Sequence, residues 1–571
     1  MTSDIPHPTP HGAPHDTGHD TRLRALLRGA SWMPEDARRA DRYELVDEAD
    51  LGPGTALLIV SPVGGPAHGR RLFVPVRTDD TGRLGEAQGT IAFDRACVRL
   101  VTSGGRVPTA RGGLVEFRGG GAPTRTVEPL PFEQGWSSNS LSLVAVDGRP
   151  HLHKAYRTLG PDVREPELLR LMDDSGRTPR WFGDYSYLPP DGSERLPLGV
   201  IYTYTPGSGI DAPLRENLRS LWPALLGDGA GDGPDRVDGS ADGYGSADGY
   251  GSADGYGSAD GYGSDGVGGS ACVNGSARVG GSSHVRGSDG SVDALVRRHL
   301  EPLAAPLHAA GRFLLAFHED LRVRLGAGTP PPDYPVADAL RRAGERADAL
   351  AERARTEPRL PSPAIAEGFR AIRVEIDLLR ASFETSEARW AAGPCHGDLH
   401  LSHLLWDPPR LIDISTPSTG PGEPGWAEQS PLEDVVALQR ALEYFSADEA
   451  AFESARLLGV DSTETMLGAL DGATGRPPRE RALLLLVFEA ADAWRRRVAE
   501  LLLAPAVTDD PADAPLRRLL YLRRLLHELD YNFAHARPYH AAIDLRHAIA
   551  LGTPPLPPLP SGPPSHHEEL T

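Results

Sequence analysis

The sequence predicts an α+β protein with a β-rich N-terminal cap, followed by a small α/β lobe and a large helical C-terminal lobe. Short apolar runs between glycine-rich turns fill the first part of the chain, which is typical of strands and tight turns. From Val292 to Ala550 apolar residues instead recur every three or four positions, which is typical of amphipathic helices. With 571 residues the chain is long enough for two or three such domains.

The composition restricts the partners that we expect. A net charge of −20 argues against nucleic acid and anionic membranes, because both require a basic surface. No apolar run is long enough to span a bilayer, and Met1–Asp20 lacks the apolar core of a signal peptide. Three scattered cysteines, Cys97, Cys272 and Cys395, do not form a disulfide framework. We therefore expect a cytoplasmic protein.

Residues 1–20 are predicted to be a disordered tail. Histidines recur there every four positions and would form a metal-binding stripe on a helix, but the intervening prolines and glycines disfavour a helix.

Residues 21–130 are predicted to form the cap domain. Its strands are indicated by Leu57–Val60, Arg71–Val76 and Gly113–Phe117.

Residues 131–226 are predicted to form the small lobe. Leu141–Val146 and Pro150–Tyr156 flank Asp147-Gly148, which is a strong hairpin signal. Pro166 suits the first position of a helix that runs through Met172. Val200–Tyr204 is a further strand.

Residues 227–290 are predicted to be a flexible acidic insert. Gly-Ser-Ala-Asp-Gly-Tyr occurs four times between Gly239 and Tyr262, and such a segment has almost nothing to bury. A calcium-binding β-roll is the alternative, although its repeat has nine residues rather than six.

Residues 291–551 form the predicted helical lobe, and 552–571 a disordered proline-rich tail. The predicted helices are Leu295–Leu325, Ala337–Arg355, Ala364–Ala391, Pro431–Phe445, Arg481–Leu503 and Leu516–Ala534.

Two acids in the one interruption of the helical lobe carry the strongest chemical signal. Asp398 lies on a polar turn within Cys395–Trp406, and Asp413 ends the short apolar strand Arg410–Ile414. Phosphoryl transfer from ATP needs such a pair, because one carboxylate accepts the proton of the attacking hydroxyl and the other holds a metal ion on the phosphates. The sequence therefore predicts a kinase site in which Asp398 is the catalytic base or orients the hydroxyl, and Asp413 is the main metal ligand.

The small lobe supplies candidates for nucleotide binding. Lys154 ends the second hairpin strand and could pair with the α- and β-phosphates, and Glu167, in the first turn of the next helix, could hold its amine. Glu165 is the rival, but it precedes Pro166 and is interpreted as a helix cap. The polar segment Ser138-Asn139-Ser140 is predicted to contact the triphosphate. Tyr204 belongs to the predicted link between the lobes, whose backbone would read adenine.

The histidines around Asp398 allow a second interpretation. His396, His400, His403 and Asp398 lie within eight residues, so they could bind zinc or a pair of metals for hydrolysis. That interpretation leaves Lys154 and the Asp413 strand unexplained.

These motifs resemble those of aminoglycoside-phosphotransferase-like kinases, in the protein-kinase-like superfamily, and among them most closely those of actinobacterial maltokinases. The matching stretches are His396–Leu401, Leu411–Asp413, Ser430–Val435 and, in the cap, Gly29–Pro34. The resemblance implies a bilobal protein-kinase-like fold, ATP with Mg²⁺ (or Mn²⁺), and phosphorylation of a sugar such as maltose or of an aminosugar. It also implies that Glu528, Tyr531 and Arg537 line the acceptor pocket.

The chain departs from this family pattern at metal-binding positions. His403 stands where the family has an Asn or Gln that binds magnesium, and Ser415 replaces an acid after Asp413. Imidazole suits magnesium poorly, because that ion prefers hard oxygen ligands. We therefore treat His403 as an auxiliary metal ligand and keep two alternatives open. One is a pseudokinase with a nucleotide-binding or scaffold role, and the other is an aminoglycoside phosphotransferase.

Overall fold

A computed structural model describes most of the chain in eleven stretches. They are residues 17–30, 32–120, 124, 126–132, 139–160, 163–227, 292–326, 332–355, 359–414, 429–508 and 510–551. The predicted tail 552–571 lies outside the described residues, as do residues 1–16 of the predicted N-terminal tail and 228–290 of the predicted insert.

In the described part most strands lie before residue 204, among short helices, and the long helices follow from Val292 onward. The helices are α1 (Thr17–Gly29), α2 (Glu35–Arg38), α3 (Ile91–Ser103), α4 (Glu165–Leu171), α5 (Asp211–Leu226), α6 (Val292–Gly326), α7 (Val336–Ala354), α8 (Ser362–Thr385), α9 (Leu432–Leu458), α10 (Ser462–Leu470), α11 (Pro478–Leu502), α12 (Asp513–Ala534) and α13 (Pro538–Leu551). The strands are β1 (Arg42–Gly52), β2 (Thr55–Val63), β3 (Arg71–Thr78), β4 (Leu84–Glu86), β5 (Arg106–Pro108), β6 (Leu114–Gly119), β7 (Val127–Pro129), β8 (Ser140–Val146), β9 (Arg149–Ala155), β10 (Thr158–Leu159), β11 (Trp181–Leu188), β12 (Leu196–Thr203), β13 (Leu404–Leu405) and β14 (Arg410–Leu411). The predicted α+β class is confirmed.

Two antiparallel sheets build the β-rich N-terminal part. The first has the order β1-β2-β3-β10, with β4 on β3, and the second has the order β5-β6-β11-β12-β9-β8-β7. The second sheet combines strands from both sides of residue 130, so the predicted cap and small lobe share it. Helix α3 packs on this sheet, and Phe93 and Tyr185 belong to the buried cluster between them.

The predicted hairpin is present and positions Lys154. Strands β8 and β9 pair from Ser140 opposite Ala155 to Val146 opposite Arg149. The turn residues Asp147 and Gly148 have φ angles of +47° and +77°, which the Asp-Gly turn accommodates. Lys154 therefore lies one residue before the end of a central strand.

The helical lobe follows the predicted pattern, with differences at the helix ends. Helix α9 continues to Leu458, well beyond the predicted end at Phe445, because its second half is also buried. The predicted helix over Ala364–Ala391 ends at Thr385. A single buried cluster joins this lobe to the small lobe, since it includes Leu152, Leu168 and Val200 together with the helices.

Neither of the two described cysteines is in a disulfide. Cys97 and Cys395 are buried free thiols, and Cys272 lies outside the described residues. No helix in the described ranges is long and apolar enough to cross a membrane.

Candidate active site

The loop between α8 and α9 brings the two predicted acids to the same place. A single 3-10 turn, Leu401–His403, follows Asp398 and leads into the small β13–β14 hairpin, which ends two residues before Asp413. The Ile412 amide donates a 3.0 Å hydrogen bond to the His403 carbonyl, which closes the loop on itself. Asp398 and Asp413, which are fifteen positions apart, therefore belong to one compact unit.

Lys154 from the small lobe reaches this unit. Its Nζ lies 2.8 Å from Glu165 Oε2 and forms a hydrogen-bonded ion pair with Asp413 Oδ1. Burial alone would lower the pKa of Lys154, but Asp413 and Glu165 raise it, so the amine stays charged. Lys154 and Asp413 are therefore brought together as predicted.

The predicted partner of the lysine was wrong. Glu165 holds the amine and also accepts a 2.8 Å hydrogen bond from the Tyr156 hydroxyl, whereas Glu167 pairs with Arg164 at 2.8 Å. The reason is the helical period, because Glu165 lies on the buried side of α4 with Leu168 and Leu169. Glu167 lies on the opposite side, and 46% of its side chain is exposed.

Asp398 lies beside two basic side chains. Its Oδ1 is 3.1 Å from His400 Nε2, and Arg524 of α12 lies close enough to interact electrostatically. Burial alone would raise the pKa of Asp398, but His400 and His403 hold it well below its ordinary value. Asp398 is therefore ionised throughout the neutral range.

His403 stands between the two acids in a defined tautomer. Its Nδ1 is 2.9 Å from the Asp398 carbonyl, which can only accept, so Nδ1 carries the proton. Burial and the neighbouring His400 lower the pKa of His403 to about 4, although Asp413 opposes the shift. At neutral pH the unprotonated Nε2 thus faces Asp413 Oδ2 at 3.8 Å.

A magnesium ion would find one suitable ligand among these groups. Asp413 offers a carboxylate at the cleft, with 38% of its side chain exposed, and Lys154 and His403 lower its pKa against the effect of burial. Magnesium is commonly held by one or two carboxylates, phosphate oxygens and water, so a single acid fits. His403 Nε2 is a nitrogen acceptor, which suits a metal-bound water better than the ion itself.

The alternative metal site built from three histidines does not form. His396 Nε2 donates to the Ile412 carbonyl at 2.9 Å, so it braces the loop as an internal hydrogen-bond donor. Within the described stretches no group of three or more His, Cys, Asp or Glu side chains is arranged to hold a metal ion.

Asp434 fixes the start of the loop that carries Asp398, a role that was not predicted from the sequence. Its carboxylate accepts hydrogen bonds from the backbone amides of His396 at 2.7 Å and Gly397 at 2.9 Å. His318 Nε2 of α6 lies 2.8 Å from the same carboxylate. Asp434 is fully buried, and His318 lowers its pKa against the effect of burial.

The predicted triphosphate contacts are placed only in part. Ser138 lies outside the described residues, and Asn139 is partly buried just before β8. The Ser140 hydroxyl accepts a 2.8 Å hydrogen bond from Arg157 Nε, so it is engaged within the small lobe.

Tyr204 lies in the link between the lobes, as predicted. Its amide donates to the Pro150 carbonyl at 2.9 Å, and 37% of the residue is exposed. Four residues later backbone hydrogen bonds join the link to the Asp398 loop. The Trp406 amide donates to the Ser208 carbonyl, and the Ile210 amide donates to the carbonyls of Leu401 and Leu404.

The predicted acceptor residues divide into two groups. Glu528 is buried and receives 2.8 Å hydrogen bonds from Arg440 and Arg524. Because Arg524 also interacts electrostatically with Asp398, Glu528 is connected to the Asp398 loop through Arg524. Tyr531 and Arg537 instead contact each other, with the guanidinium 5.2 Å from the ring centroid.

Comparison with known proteins gives similarity in fold rather than in sequence. No protein-family model matches the chain, and no curated protein sequence matches it significantly. A solved crystal form of a glucosamine kinase is 16% identical with a TM-score of 0.50, over 92% of this chain and 99% of that one. A second crystal form has a TM-score of 0.46, over 91% of this chain and 96% of that one, also at 16% identity. The same kinase in complex with glucosamine, ADP and inorganic phosphate has a TM-score of 0.45, over 91% and 97% at 16% identity. The likeness to the first of these structures confirms the predicted bilobal kinase-like fold, and the finer resemblance to maltokinases stays a prediction.

Proposed function

We propose that the chain is an ATP-dependent phosphotransferase that phosphorylates a hydroxyl group of a sugar or aminosugar. The observation that carries the proposal is the convergence of Lys154, Glu165 and Asp413, which come from three separate segments. Together with Asp398 on the same loop, they supply the charges that phosphoryl transfer requires. The fold shared with a glucosamine kinase supports the proposal.

In the proposed reaction Lys154 binds the α- and β-phosphates while Glu165 keeps its amine at the cleft. Asp398 orients the acceptor hydroxyl and receives its proton as the oxygen bonds to the γ-phosphorus and the bond to ADP breaks. The lowered pKa makes Asp398 a weak base, but a loose transition state depends more on positioning than on basicity. Asp413 would hold Mg²⁺ or Mn²⁺, which neutralises charge on the phosphate oxygens.

The acceptor is proposed to bind beside Asp398 on the side of α12, where Arg524 and Glu528 lie. Tyr531 and Arg537 extend this surface towards α13. The similar solved structure is named for a kinase of glucosamine, so aminosugars are candidates beside maltose and other neutral sugars.

A panel of sugars and aminosugars with ATP and Mg²⁺ or Mn²⁺ tests the proposal, with ADP release as the readout. We expect one class of acceptor to stimulate release in the wild type and Asp398→Asn to lower the rate about 10²- to 10⁴-fold with ATP binding retained. Mass spectrometry of the product identifies the phosphorylated sugar. Equal rates in both proteins would contradict the assignment of Asp398.

The pseudokinase alternative is favoured by one specific observation. Asp413 is paired directly with Lys154, and the position expected to supply an oxygen ligand is the His403 imidazole. ATP binding without acceptor-stimulated ADP release across the whole panel would support this alternative.

A further inference from the structure

A cavity lies in the small lobe, lined by none of the predicted catalytic residues Lys154, Asp398 and Asp413. It has a volume of about 250 Å³ and lies between α4 and the second sheet. Pro166, Glu167 and Arg170 of α4 form one wall. Strands β6 and β11 and the segment before β12 form the other wall, with Arg118, Asp184, Ser186, Glu194 and Arg195.

The lining is rich in arginine. Four arginines face three acids, of which only Asp184 is buried. Asp184 accepts a 3.2 Å hydrogen bond from Trp181 Nε1 and interacts electrostatically with Arg118, Arg170 and Arg195, whereas Glu167 pairs with Arg164 and Glu194 is exposed. These contacts leave the buried Nη1 of Arg195 without an acceptor among the described residues.

Arg195 and Arg170 have N–H groups available to bind a ligand. Arg195 Nη2 donates a 2.5 Å hydrogen bond to Glu116, but Arg195 Nη1 is buried and has no hydrogen-bond acceptor among the described residues. A buried guanidinium donor without an acceptor is costly, and a bound anion would satisfy it. Arg170 lies across the cavity and is exposed, and the described residues give it no ion pair within 4.0 Å.

We propose that this cavity binds a small anion through its phosphate group, with Arg170 and Arg195 as the principal ligands. Guanidinium groups match the oxygens of phosphate with paired hydrogen bonds, and Ser186 on the floor adds a hydroxyl. The volume suits inorganic phosphate, pyrophosphate or a sugar phosphate better than a nucleotide, because pockets for drug-sized ligands begin at about 300 Å³.

The sheet register connects this cavity to the lysine of the catalytic site. Asp184 pairs with Val200, and Val200 pairs with Lys154, so these three side chains lie in one row on the same face. Two strand spacings, roughly 10 Å, separate Asp184 from Lys154. Helix α4 covers this face and carries Glu165 on one side and Arg170 on the other, so an anion on Arg170 should alter the affinity for nucleotide.

Calorimetric titration of the full-length protein at constant ionic strength tests the site, with inorganic phosphate, pyrophosphate and glucose 6-phosphate as separate probes. We expect Arg170→Gln and Arg195→Gln each to weaken binding of the preferred probe about tenfold or more. Arg106→Gln is the matched control, because Arg106 also pairs with Glu116 but does not line the cavity, and it should bind as the wild type does. Because Arg170 is exposed, its variant is expected to fold, which a thermal melt checks.

Lys154→Gln separates this site from the catalytic cleft. Anion binding that survives in Lys154→Gln but is lost in Arg170→Gln supports the cavity, whatever the outcome of the sugar panel. Binding lost only in Lys154→Gln would place the anion in the catalytic cleft and overturn the proposal, as would no binding at millimolar concentration in the wild type. Unchanged affinity for an ATP analogue at saturating anion would overturn the coupling, since linkage requires each ligand to change the affinity of the other equally.

Discussion

Lys154 lies between Glu165 and Asp413, and the two carboxylates act differently on it. Glu165 is 2% exposed and belongs to the same lobe as the lysine, so it can hold the amine in place. Asp413 belongs to the other lobe and is partly exposed. Binding of a nucleotide would exchange the Asp413 contact for phosphate while the Glu165 contact remains.

Substitution of Glu165 should therefore impair nucleotide use, whereas substitution of Glu167 should not. We expect Glu165→Gln to lower kcat/KM for ATP by about 10- to 100-fold, since a hydrogen bond to a charged group contributes about 1.5–3 kcal/mol. Glu167→Gln removes only an exposed ion pair with Arg164. Such pairs contribute roughly 0–1 kcal/mol to stability and this one does not touch Lys154, so kcat/KM should change less than twofold. Steady-state kinetics of both variants measure these changes. A larger loss of kcat/KM in Glu167→Gln than in Glu165→Gln would show that Glu167 is the partner of Lys154.

His403 should make the folded protein sensitive to mild acid. Its pKa is about 4 in the fold, where burial is the main cause, against 6.5 for an ordinary imidazole. Between these values the unfolded chain binds a proton that the folded chain does not, so stability falls as pH falls from 6.5 to 4. The full effect is up to about 3 kcal/mol. The pKa values of Asp398 and Asp413 are lowered, so their contribution is present above their unfolded pKa and is lost mainly below pH 4.

His403→Asn tests this effect and the metal assignment together. Urea unfolding at pH 7 and pH 4.5 should show a smaller loss of stability in the variant than in the wild type. Because the amide oxygen is a harder ligand than imidazole, the variant should also need less Mg²⁺ for half-maximal ADP release. Identical acid sensitivity of the two proteins would show that His403 is not the titrating group.

At the scale of elements, the N-terminus of α9 holds the Asp398 loop through Asp434. This buried carboxylate accepts two loop amides and a histidine from α6, so it connects three segments at one point. Asp434→Ala should lower the free energy of unfolding by about 3–5 kcal/mol, because it leaves those donors buried without an acceptor. Thermal or urea unfolding measures the loss.

Glu453→Gln on the same helix is the control for Asp434. Glu453 pairs with Arg456, whose side chain is 66% exposed, so its loss should cost about 1 kcal/mol or less. A comparable loss of stability in both variants would mean that the hydrogen bonds of Asp434 contribute no more than any negative charge on α9.

The sequence contains the signal that separates Glu165 from Glu167, although the proline obscured it. Glu165, Leu168, Leu169 and Met172 are spaced as i, i+3, i+4 and i+7, and all four are buried. Since α4 begins at Glu165 rather than at Pro166, this acid belongs to the inward stripe. The positions of Asp398, Asp413 and Lys154 were predictable from local motifs, whereas the electrostatic interaction of Arg524 with Asp398 depends on how α12 packs beside a loop that is distant in sequence.

At the scale of the whole molecule, strand order was the feature that local patterns could not supply. Hairpin β8–β9 was predicted because its turn is local, but β11 (Trp181–Leu188) was not, and it lies between β6 and β12. The second sheet therefore joins segments on both sides of residue 130 through pairing between residues far apart in sequence. Helix α5 was also missed, and it is the element that leads from the lobe link to the low-complexity segment.

Removal of that low-complexity segment should leave the fold intact. Helices α5 and α6, which border it, already contact each other, because Asn217 Nδ2 donates to the His299 carbonyl at 3.0 Å and the Ser220 hydroxyl lies 2.8 Å from His299 Nε2. Gly227 and Val292 each lie within about 11 Å of these contacts along their helices, at 1.5 Å per residue. A linker of about 12 Gly and Ser residues spans up to roughly 40 Å, which is enough for any orientation of the two ends.

We expect replacement of residues 228–291 by this linker to change the melting temperature by less than about 2 °C, since neither bordering helix loses a described contact and longer loops cost little entropy. Kinetic constants for ATP and acceptor should also be unchanged if the segment takes no part in catalysis. Replacement of residues 217–220 by alanine is the opposite control, because it removes the contacts between α5 and α6 themselves and should lower the melting temperature. A large drop in the melting temperature of the deletion variant would show that the segment, and not the contact between α5 and α6, stabilises this part of the fold.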